Sequence, residues 1–230
     1  MKTIGVLGGM SWESTRHYYE LLNQGVKERL GGLHSARLLI YSVDFAPIAR
    51  MQADERWDEA GEELARAAAA LERAGADFLV LATNTMHRVA ADIERRVQVP
   101  LLHIADPTAA AVRGRGLRRA GLLATRFTME QTFYSERLAR HGLEVIVPPE
   151  PDRALVHRVI YDELCLGVVS STSRDQLRRV AADLASAGAD AIIFGCTEIM
   201  MLLAQEDVPV PAFDTTALHA AAAVELAISG

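Results

Sequence analysis

The segment AGADFLVLATNT at residues 74–85 decides the fold, because it recurs as AGADAIIFGCTE at residues 187–198, 113 positions later. Each copy carries a glycine turn, then a short apolar run, then a small polar cluster. This arrangement is typical of a helix that ends and a buried parallel strand that follows it. A period this long exceeds the roughly 20–50 residues of solenoid repeats and therefore indicates a duplicated domain. The same offset aligns Thr83 with Cys196.

The repeat extends beyond this segment. Val-Pro at positions 99–100 leads by a short apolar run to Asp106, and Val-Pro at positions 208–209 leads in the same way to Asp214. Aspartate commonly caps the start of a helix, so we predict helices that begin at Asp106 and at Asp214. The second of these helices can return the chain to the first half. The predicted lobes are residues 1–105 with 214–230, and residues 106–213.

Apolar runs alternate with longer amphipathic segments along the chain, as at residues 57–74 and 174–187. This alternation predicts an α/β protein whose parallel sheets are covered by helices on both faces. Gly5 and Gly121 occupy equivalent places in the first strand of each half. The predicted strands are Thr3–Leu7, Arg37–Ser42, Phe78–Ala82, Leu101–Ile104, Ala120–Ala124, Glu144–Val147, Ala191–Phe194 and Val210–Phe213.

The composition is that of a folded protein, since 50% of the 230 residues are hydrophobic and 23% are charged. A formal net charge of -6 argues against a nucleic-acid-binding surface. We expect no membrane span and no signal peptide, because no apolar run reaches about 18 residues and residues 3–9 are typical of a first strand. Cys165 and Cys196 are too few for a disulfide framework or a thiolate zinc site, so we expect a reducing cytoplasm.

Two polar clusters follow predicted strands, at residues 83–85 and 196–198. Ligands of open parallel sheets bind beyond the carboxyl ends of the strands. If a helix starts at each cluster, its N–H groups can bind a carboxylate and its dipole lowers the pKa of Cys196. The sequence holds no phosphatase Cys-x5-Arg loop, dinucleotide fingerprint, P-loop, serine elbow or zinc-protease motif. His87 and His103 are isolated histidines, which we interpret as structural.

Four motifs resemble those of the aspartate/glutamate racemase family. Residues 83–87, Thr-Asn-Thr-Met-His, are similar to the family's Cys-Asn-Thr-x-His motif, and residues 195–198 are similar to its Gly-Cys-Thr-Glu motif. The opening IGVLGGMS at residues 4–11 and IYDEL at residues 160–164 match as well. The resemblance thus covers nearly the whole chain. It implies two similar α/β domains with parallel four-stranded sheets, related by pseudo-twofold symmetry.

The resemblance also implies an activity and a site. Members racemise amino acids without pyridoxal phosphate or metal, using two cysteines on opposite faces of a substrate held in the cleft between the lobes. One thiolate removes the α-proton while the opposing thiol delivers a proton to the other face. Carried onto this sequence, the catalytic pair is Thr83 and Cys196. The implied substrate-binding residues are Met10, Arg50, Gln52, Asn84, Thr85, Thr125, Thr197 and Glu198, with backbone N–H groups stabilising the enolate.

One departure concerns the first catalytic position, where the family has cysteine and this chain has Thr83. A hydroxyl can donate a proton, but its alkoxide is not accessible near neutral pH. We therefore expect Cys196 to be the effective acid or base, with Thr83 a slow partner or a group that positions a water. A preference for one enantiomer follows.

A second departure concerns the substrate. Cys165 stands where some aspartate racemases have a lysine that holds the side-chain carboxylate, so glutamate, homoserine-like or broader substrates stay open. Arg50 could still pair with a distal carboxylate. From its helical surroundings alone, Cys165 is predicted to be a core residue.

Other functions remain open. Related decarboxylases of substituted malonates keep only the second-half cysteine, which Cys196 with Thr83 also fits. Isomerases of maleate or hydantoins and a catalytically idle amino-acid-binding protein are further alternatives. The expected partners are a small amino acid or dicarboxylate and, as is common in the family, a second copy of the chain in a homodimer.

Overall fold

The computed structural model describes residues 1–229, which divide into two compact units. Unit 1 comprises Met1–Ile104 and the segment from His219 onward, and unit 2 comprises Ala105–Leu218. The sequence-based boundaries, 105/106 and 213/214, compare with 104/105 and 218/219 in this division. The boundary at 218/219 falls inside the helix Thr215–Ile228, after its first turn.

The strands are, in chain order, β1 (Ile4–Gly8), β2 (Leu38–Ser42), β3 (Phe78–Leu81), β4 (Leu101–Leu102), β5 (Arg119–Ala124), β6 (Glu144–Ile146), β7 (Ala191–Gly195) and β8 (Ala212–Asp214). The α-helices are α1 (Trp12–Leu30), α2 (Phe45–Ala53), α3 (Trp57–Arg73), α4 (Ala90–Arg96), α5 (Ala105–Gly114), α6 (Arg126–Glu130), α7 (Thr132–Arg140), α8 (Glu150–Arg158), α9 (Ser171–Ser186) and α10 (Thr215–Ile228). Across residues 1–229 none of these helices is both long and apolar enough to cross a lipid bilayer.

The described residues of each unit form one parallel four-stranded sheet. The order is β2-β1-β3-β4 in unit 1 and β6-β5-β7-β8 in unit 2. In unit 1, Ile4 is in register with both Leu38 and Phe78, and in unit 2 Ala120 is in register with Ala191. Strands β1, β3 and β7 are buried along their whole length, which explains their continuous apolar sequence.

The core of unit 1 forms between its sheet and helices α1 and α10. Ile4, Tyr18, Val80 and Val224 are all buried in it. The buried residues of α1 recur every three or four positions, as expected for one helix face. The apolar α10, predicted from the sequence to return to the first half, packs its residues after His219 into this core.

The repeated Ala-Gly-Ala-Asp sequence ends a helix in each unit. Gly75, after α3, has φ 101°, and Gly188, after α9, has φ 99°, a conformation that favours glycine. The Gly75 N–H donates to the carbonyl of Glu72, and the Ala76 N–H donates to that of Leu71. These two bonds form a Schellman motif, and the same pair of bonds closes α9 around Gly188. The helix therefore stops at the same point in both copies.

The aspartate of each repeat then anchors the neighbouring strand. Oδ2 of Asp77 accepts the Thr3 N–H at 2.6 Å, while the Asp77 N–H donates to the Thr3 carbonyl at 2.9 Å. In unit 2, the Asp190 carboxylate accepts the N–H groups of Arg118 and Arg119, both at 2.9 Å. The repeat thus encodes a helix stop and a strand register together.

Gly5 and Gly121 pack closely against neighbouring segments, Gly5 against the turn that follows α3 and Gly121 against the adjacent strand β7. A Cβ on Gly5 would lie 2.8 Å from the Ala76 Cβ, and one on Gly121 would lie 2.8 Å from Ile192 Cδ1. Both distances are below ordinary van der Waals contact, so the close packing requires glycine at the two equivalent places.

The eight strands predicted from the sequence are confirmed, and their observed ends differ from the predicted ends by at most two residues. The predicted cap at Asp214 is also confirmed, because its Oδ1 accepts the Thr216 N–H at 2.8 Å. The predicted cap at Asp106 is wrong. Helix α5 already begins at Ala105, and the Asp106 carboxylate instead binds the Arg137 guanidinium through two hydrogen bonds.

Candidate active site

The first predicted cluster, Thr83-Asn84-Thr85, lies directly beyond the carboxyl end of β3 in unit 1. Its three side chains are buried, with Thr83 7% exposed. The sequence analysis considered a helix that starts at this cluster. The structure has a short 3₁₀-helix, Thr85–Val89, and α4 follows it. The turn is closed by the Thr83 N–H, which donates to the carbonyl of Leu81 at 2.9 Å.

The other predicted residues of unit 1 differ in exposure. Met10 is buried just after β1, and Gln52 on α2 is buried with its Nε2 donating to Met86 Sδ at 2.9 Å. This contact brings Gln52 to the Thr83–His87 segment. Arg50 on the same helix is exposed.

Unit 2 holds the second cluster, beyond the carboxyl end of β7. Cys196, Thr197 and Glu198 are all buried, with Cys196 7% exposed. The Cys196 thiol donates to Oε2 of Glu198 at 2.9 Å, and the Thr197 hydroxyl donates to the same oxygen at 2.6 Å. Glu198, a predicted substrate-binding residue, is thus hydrogen-bonded to the candidate catalytic sulfur.

These surroundings raise the pKa of the Cys196 thiol well above its ordinary value. Burial of the sulfur is the largest cause, and the negative charge of Glu198 is the next. The lowered pKa expected from a helix N-terminus is therefore wrong. The segment after Cys196 forms only a three-residue 3₁₀ turn, Ile199–Met201, and not the α-helix whose dipole was expected to stabilise the thiolate.

Thr125 is placed beyond the carboxyl end of β5, where it caps a helix. It is buried, and its hydroxyl accepts the Thr128 N–H at 3.3 Å at the start of α6. The two threonine hydroxyl oxygens are 3.2 Å apart. Thr125 therefore has a structural role in addition to any contact with substrate.

The sequence analysis missed Tyr161, although it lies in the IYDEL motif that carried part of the resemblance. Tyr161 belongs to a π-helical turn, Val159–Glu163, a feature frequent at functional sites. Its ring centroid lies 4.6 Å from that of His157 and 6.5 Å from that of Phe127. Burial raises the pKa of the Tyr161 hydroxyl, and the negative charge of Glu198 adds to the effect, so this hydroxyl stays protonated.

Two neighbours complete this part of unit 2. His157 accepts the Arg126 N–H through Nδ1 at 3.3 Å, and burial, followed by the Arg126 charge, lowers the pKa of its imidazole. A neutral His157 is the result. Cys165 is partly exposed, so its predicted place in the core is wrong. It follows the π-helical turn in a short 3₁₀ segment, Leu164–Leu166.

Cys196 and Glu198 form a hydrogen-bonded pair of a thiol and a carboxylate, two groups that are capable of acid–base chemistry. No cluster of three or more potential metal ligands occurs in the part of the chain that the structure describes. The thiol holds a proton beside a carboxylate that can accept it, which is the arrangement needed for proton transfer at carbon.

The sequence matches the Asp/Glu/Hydantoin racemase family over residues 7–223. The broad specificity amino-acid racemase RacX of Bacillus subtilis (strain 168) is 26% identical over 227 residues, covering 96% of each chain. A protein of known structure from Yersinia pestis is 54% identical, with a TM-score of 0.92 over 99% of this chain and all of that one (100%). PH1733 of Pyrococcus horikoshii OT3, an aspartate racemase homologue, is 36% identical, with a TM-score of 0.84 over 99% of both chains.

Proposed function

Because this chain belongs to the Asp/Glu/Hydantoin racemase family, we propose that it is a cofactor-independent amino-acid racemase in which Cys196 is the principal acid–base group. The observation that carries the proposal is the Cys196 thiol hydrogen bond to Glu198 at the end of β7. A buried thiol next to a carboxylate both holds a proton to donate and has a group that takes it up.

In one direction, the Cys196 thiolate removes the α-hydrogen as a proton and leaves the electron pair of the broken bond on the substrate as an enolate. Glu198 forms the thiolate by accepting the Cys196 proton before this step. A proton delivered to the opposite face of the α-carbon completes the inversion. The proton on Glu198 is then released to solvent, which also replaces the proton delivered to the opposite face. In the other direction, the Cys196 thiol donates its proton to the enolate, and the thiolate regains a proton from solvent through Glu198.

Thr83 is proposed as the group acting on the opposite face. Its hydroxyl can donate a proton, directly or through a water that it positions, but it is a very weak base. Proton removal from that face is therefore slow, and the two enantiomers are turned over at unequal rates. Met10, Gln52 and Thr125 are proposed to contact the substrate, while the N–H groups of Asn84, Thr85 and Thr197 stabilise the enolate.

The substrate class is an α-amino acid, including aspartate, glutamate and neutral amino acids. The name of RacX, a broad specificity racemase with 26% identity, supports a range wider than the acidic amino acids. Cys165, at the position where some aspartate racemases have a lysine, supports the same range. Arg50 is proposed as a contact for a distal carboxylate when the substrate carries one.

We also propose that the enzyme works as a homodimer in the reducing cytoplasm. Trp12 and Tyr19, seven positions apart on one face of α1, are 62% and 54% exposed and offer apolar surface for association. Sedimentation of the purified protein tests this part of the proposal, since a monomer at micromolar concentration contradicts it.

The activity is tested by α-hydrogen exchange in heavy water. Single L- and D-amino acids are incubated with the protein, and deuterium at the α-carbon and chirality are followed together. Exchange with inversion that is lost in Cys196→Ala supports the proposal, whereas full activity of that variant contradicts the assignment of Cys196.

A single thiol also favours one alternative, decarboxylation of a substituted malonate. After carbon dioxide leaves, Cys196 would protonate one face of the enediolate without a second acid–base group. Release of carbon dioxide from an arylmalonate, with no α-hydrogen exchange in any amino acid, would establish this alternative instead.

A further inference from the structure

His87 connects the candidate catalytic segment to the interior of unit 1. Its Nδ1 lies 2.7 Å from the carbonyl oxygen of Thr83, and the Ile104 N–H donates to its Nε2 at 3.2 Å. An amide N–H is always a donor, so Nε2 carries a lone pair and the proton is on Nδ1. The Nδ1–H therefore donates to the Thr83 carbonyl, and the imidazole is neutral.

The ring of His87 is held in place by other rings. It is 3% exposed, and its centroid lies 4.4 Å from that of His103 and 6.0 Å from that of His219. His219 is fixed in turn by two hydrogen bonds of 2.8 Å. Its Nε2–H donates to the Leu102 carbonyl, and its Nδ1 accepts the Tyr18 hydroxyl. Rotation of His87 would require this whole cluster to repack.

Holding the Thr83 carbonyl also fixes the direction of the next amide. The Thr83 carbonyl and the Asn84 N–H belong to one planar trans peptide, in which the two groups point in opposite directions. Since the carbonyl is turned inward to His87, the Asn84 N–H is turned away from the histidine cluster.

This arrangement is not part of the duplication. The position equivalent to His87 is Met200 in the second half, at the same offset of 113. There the Cys196 carbonyl accepts the Ile199 N–H at 3.2 Å, within its own short turn. A side chain that holds the peptide from the interior is therefore specific to the half that carries Thr83.

We propose that His87 is a positioning residue, which holds the Thr83–Asn84 peptide so that the Asn84 N–H is directed at the α-carboxylate of the substrate. This role rests on the proposed function, because it names the substrate group that the N–H receives. A preorganised hydrogen-bond donor stabilises the developing charge of the enolate without reorientation during the reaction.

The sequence allows a direct test, since its asparagines are Asn23 and Asn84. Labelling with ¹⁵N-asparagine gives one backbone amide signal for each. The residual dipolar coupling of the Asn84 N–H reports the orientation of the peptide, and Asn23 on α1 serves as the internal reference. In the wild-type protein, ¹⁵N-histidine labelling must show His87 as the Nδ1–H tautomer, and any other tautomer overturns the proposal without a variant.

Two variants distinguish the effect of the Nδ1–H donor from the effect of the size of the imidazole ring. His87→Asn keeps an N–H near the position of Nδ1, whereas His87→Gln moves it toward the position of Nε2. We expect His87→Gln to change the Asn84 coupling and to lower kcat/KM about 10- to 100-fold, with His87→Asn nearer to wild type. Tyr18→Phe removes one of the two bonds to His219 but leaves its bond to the Leu102 carbonyl and the His87–Thr83 bond in place. It should therefore keep the Asn84 coupling and kcat/KM within about twofold.

Binding is measured apart from catalysis by titrating the labelled protein with L-glutamate and with L-aspartate. A shift of the Asn84 amide proton that is weaker in His87→Gln supports the positioning role. An unchanged Asn84 coupling in His87→Gln, or no shift of the wild-type amide with either amino acid, overturns it. If the Asn84 amide responds as expected but α-hydrogen exchange is absent, the racemase function is wrong and the positioning role of His87 stands.

Discussion

The Sγ of Cys196 donates a hydrogen bond of 2.9 Å to Oε2 of Glu198, with only Thr197 between them in the sequence. The carboxylate raises the pKa of the thiol, after the larger effect of burial, and it is also the nearest acceptor for the thiol proton. A residue that opposes ionisation of the sulfur in the resting protein is thus the one positioned to take its proton. The two effects can be separated by removing the charge.

Glu198→Gln should therefore change thiol reactivity and turnover in opposite directions. Loss of the negative charge lowers the pKa of Cys196, so alkylation of this thiol by iodoacetamide begins at a lower pH. Loss of the proton acceptor lowers kcat by about 10²- to 10⁴-fold. Alkylation is followed by peptide mass spectrometry in a Cys165→Ser background, and kcat is measured by α-deuterium exchange.

A matched control for this variant is Glu163→Gln. Glu163 accepts the Ser173 hydroxyl at 2.6 Å, and the charges that raise the pKa of Cys196 are those of Glu198 and Cys165. The variant should therefore alter neither the pH of alkylation nor kcat beyond about twofold. If Glu198→Gln kept full turnover, Glu198 would not be the acceptor of the thiol proton.

Stability should fall at alkaline pH because buried groups, among them Cys196 and Tyr134, resist ionisation. Burial raises the pKa of Cys196 and of Tyr134, so in the folded state both remain protonated where the unfolded chain has lost these protons. The unfolded state then binds fewer protons, and the free energy of unfolding decreases as pH rises above the unfolded values of about 8.5 and 10. Urea titrations between pH 7 and 11 measure the decrease, which should be smaller near pH 9 in Cys196→Ser and smaller above pH 10 in Tyr134→Phe. Profiles parallel to wild type in both variants would contradict the stated cause.

The sequence was sufficient to predict those parts of the structure that depend on backbone pattern. The Ala-Gly-Ala-Asp repeats predicted both helix ends, because a helix stop at Gly75 and Gly188 needs only local backbone geometry. Side-chain chemistry was harder to predict. The motif identified Cys196 and Glu198, but their hydrogen bond depends on rotamers, and the raised thiol pKa depends on burial. Tyr161 was missed because its direction is set by a π-helical turn that has no signal in residue periodicity.

The close packing at Gly5 gives a prediction about the fold. In Gly5→Ala, the new methyl group would lie 2.8 Å from both the Ala76 Cβ and Leu79 Cδ2, so the turn after α3 and the Leu79 side chain on β3 must move away from β1. We expect the free energy of unfolding to fall by about 1–3 kcal/mol. Gly114→Ala is the control, because its Cβ meets nothing within 4 Å, and it should raise stability by up to about 1 kcal/mol. Equal stabilities of the two variants, measured by urea unfolding, would be evidence against close packing at Gly5.

The strand anchor at Asp190 gives a second prediction about the fold. Asp190→Ala leaves the N–H groups of Arg118 and Arg119 without their acceptor at the start of β5, and should cost about 1–2 kcal/mol. Asp175→Ala removes a carboxylate that is 76% exposed and lies 3.7 Å from Arg178, and should change stability by less than about 0.5 kcal/mol. Thermal and urea unfolding compare the two, and a loss in Asp175→Ala as large as that in Asp190→Ala would count against the anchoring role.

Thr83→Cys should make turnover of the two enantiomers more nearly equal. A thiol near Thr83 has an ordinary pKa of about 8.5, so a thiolate becomes accessible where the threonine alkoxide is not. The slower direction of racemisation depends on proton removal at this face and should accelerate by about 10²-fold or more, while the faster direction changes little. Initial rates from pure L- and D-substrate, with deuterium incorporation read at the α-carbon, give both directions in one experiment. Thr83→Ser keeps a hydroxyl of similar acidity and should retain the wild-type bias. If Thr83→Cys retained that bias as well, the asymmetry would not arise from the missing thiol.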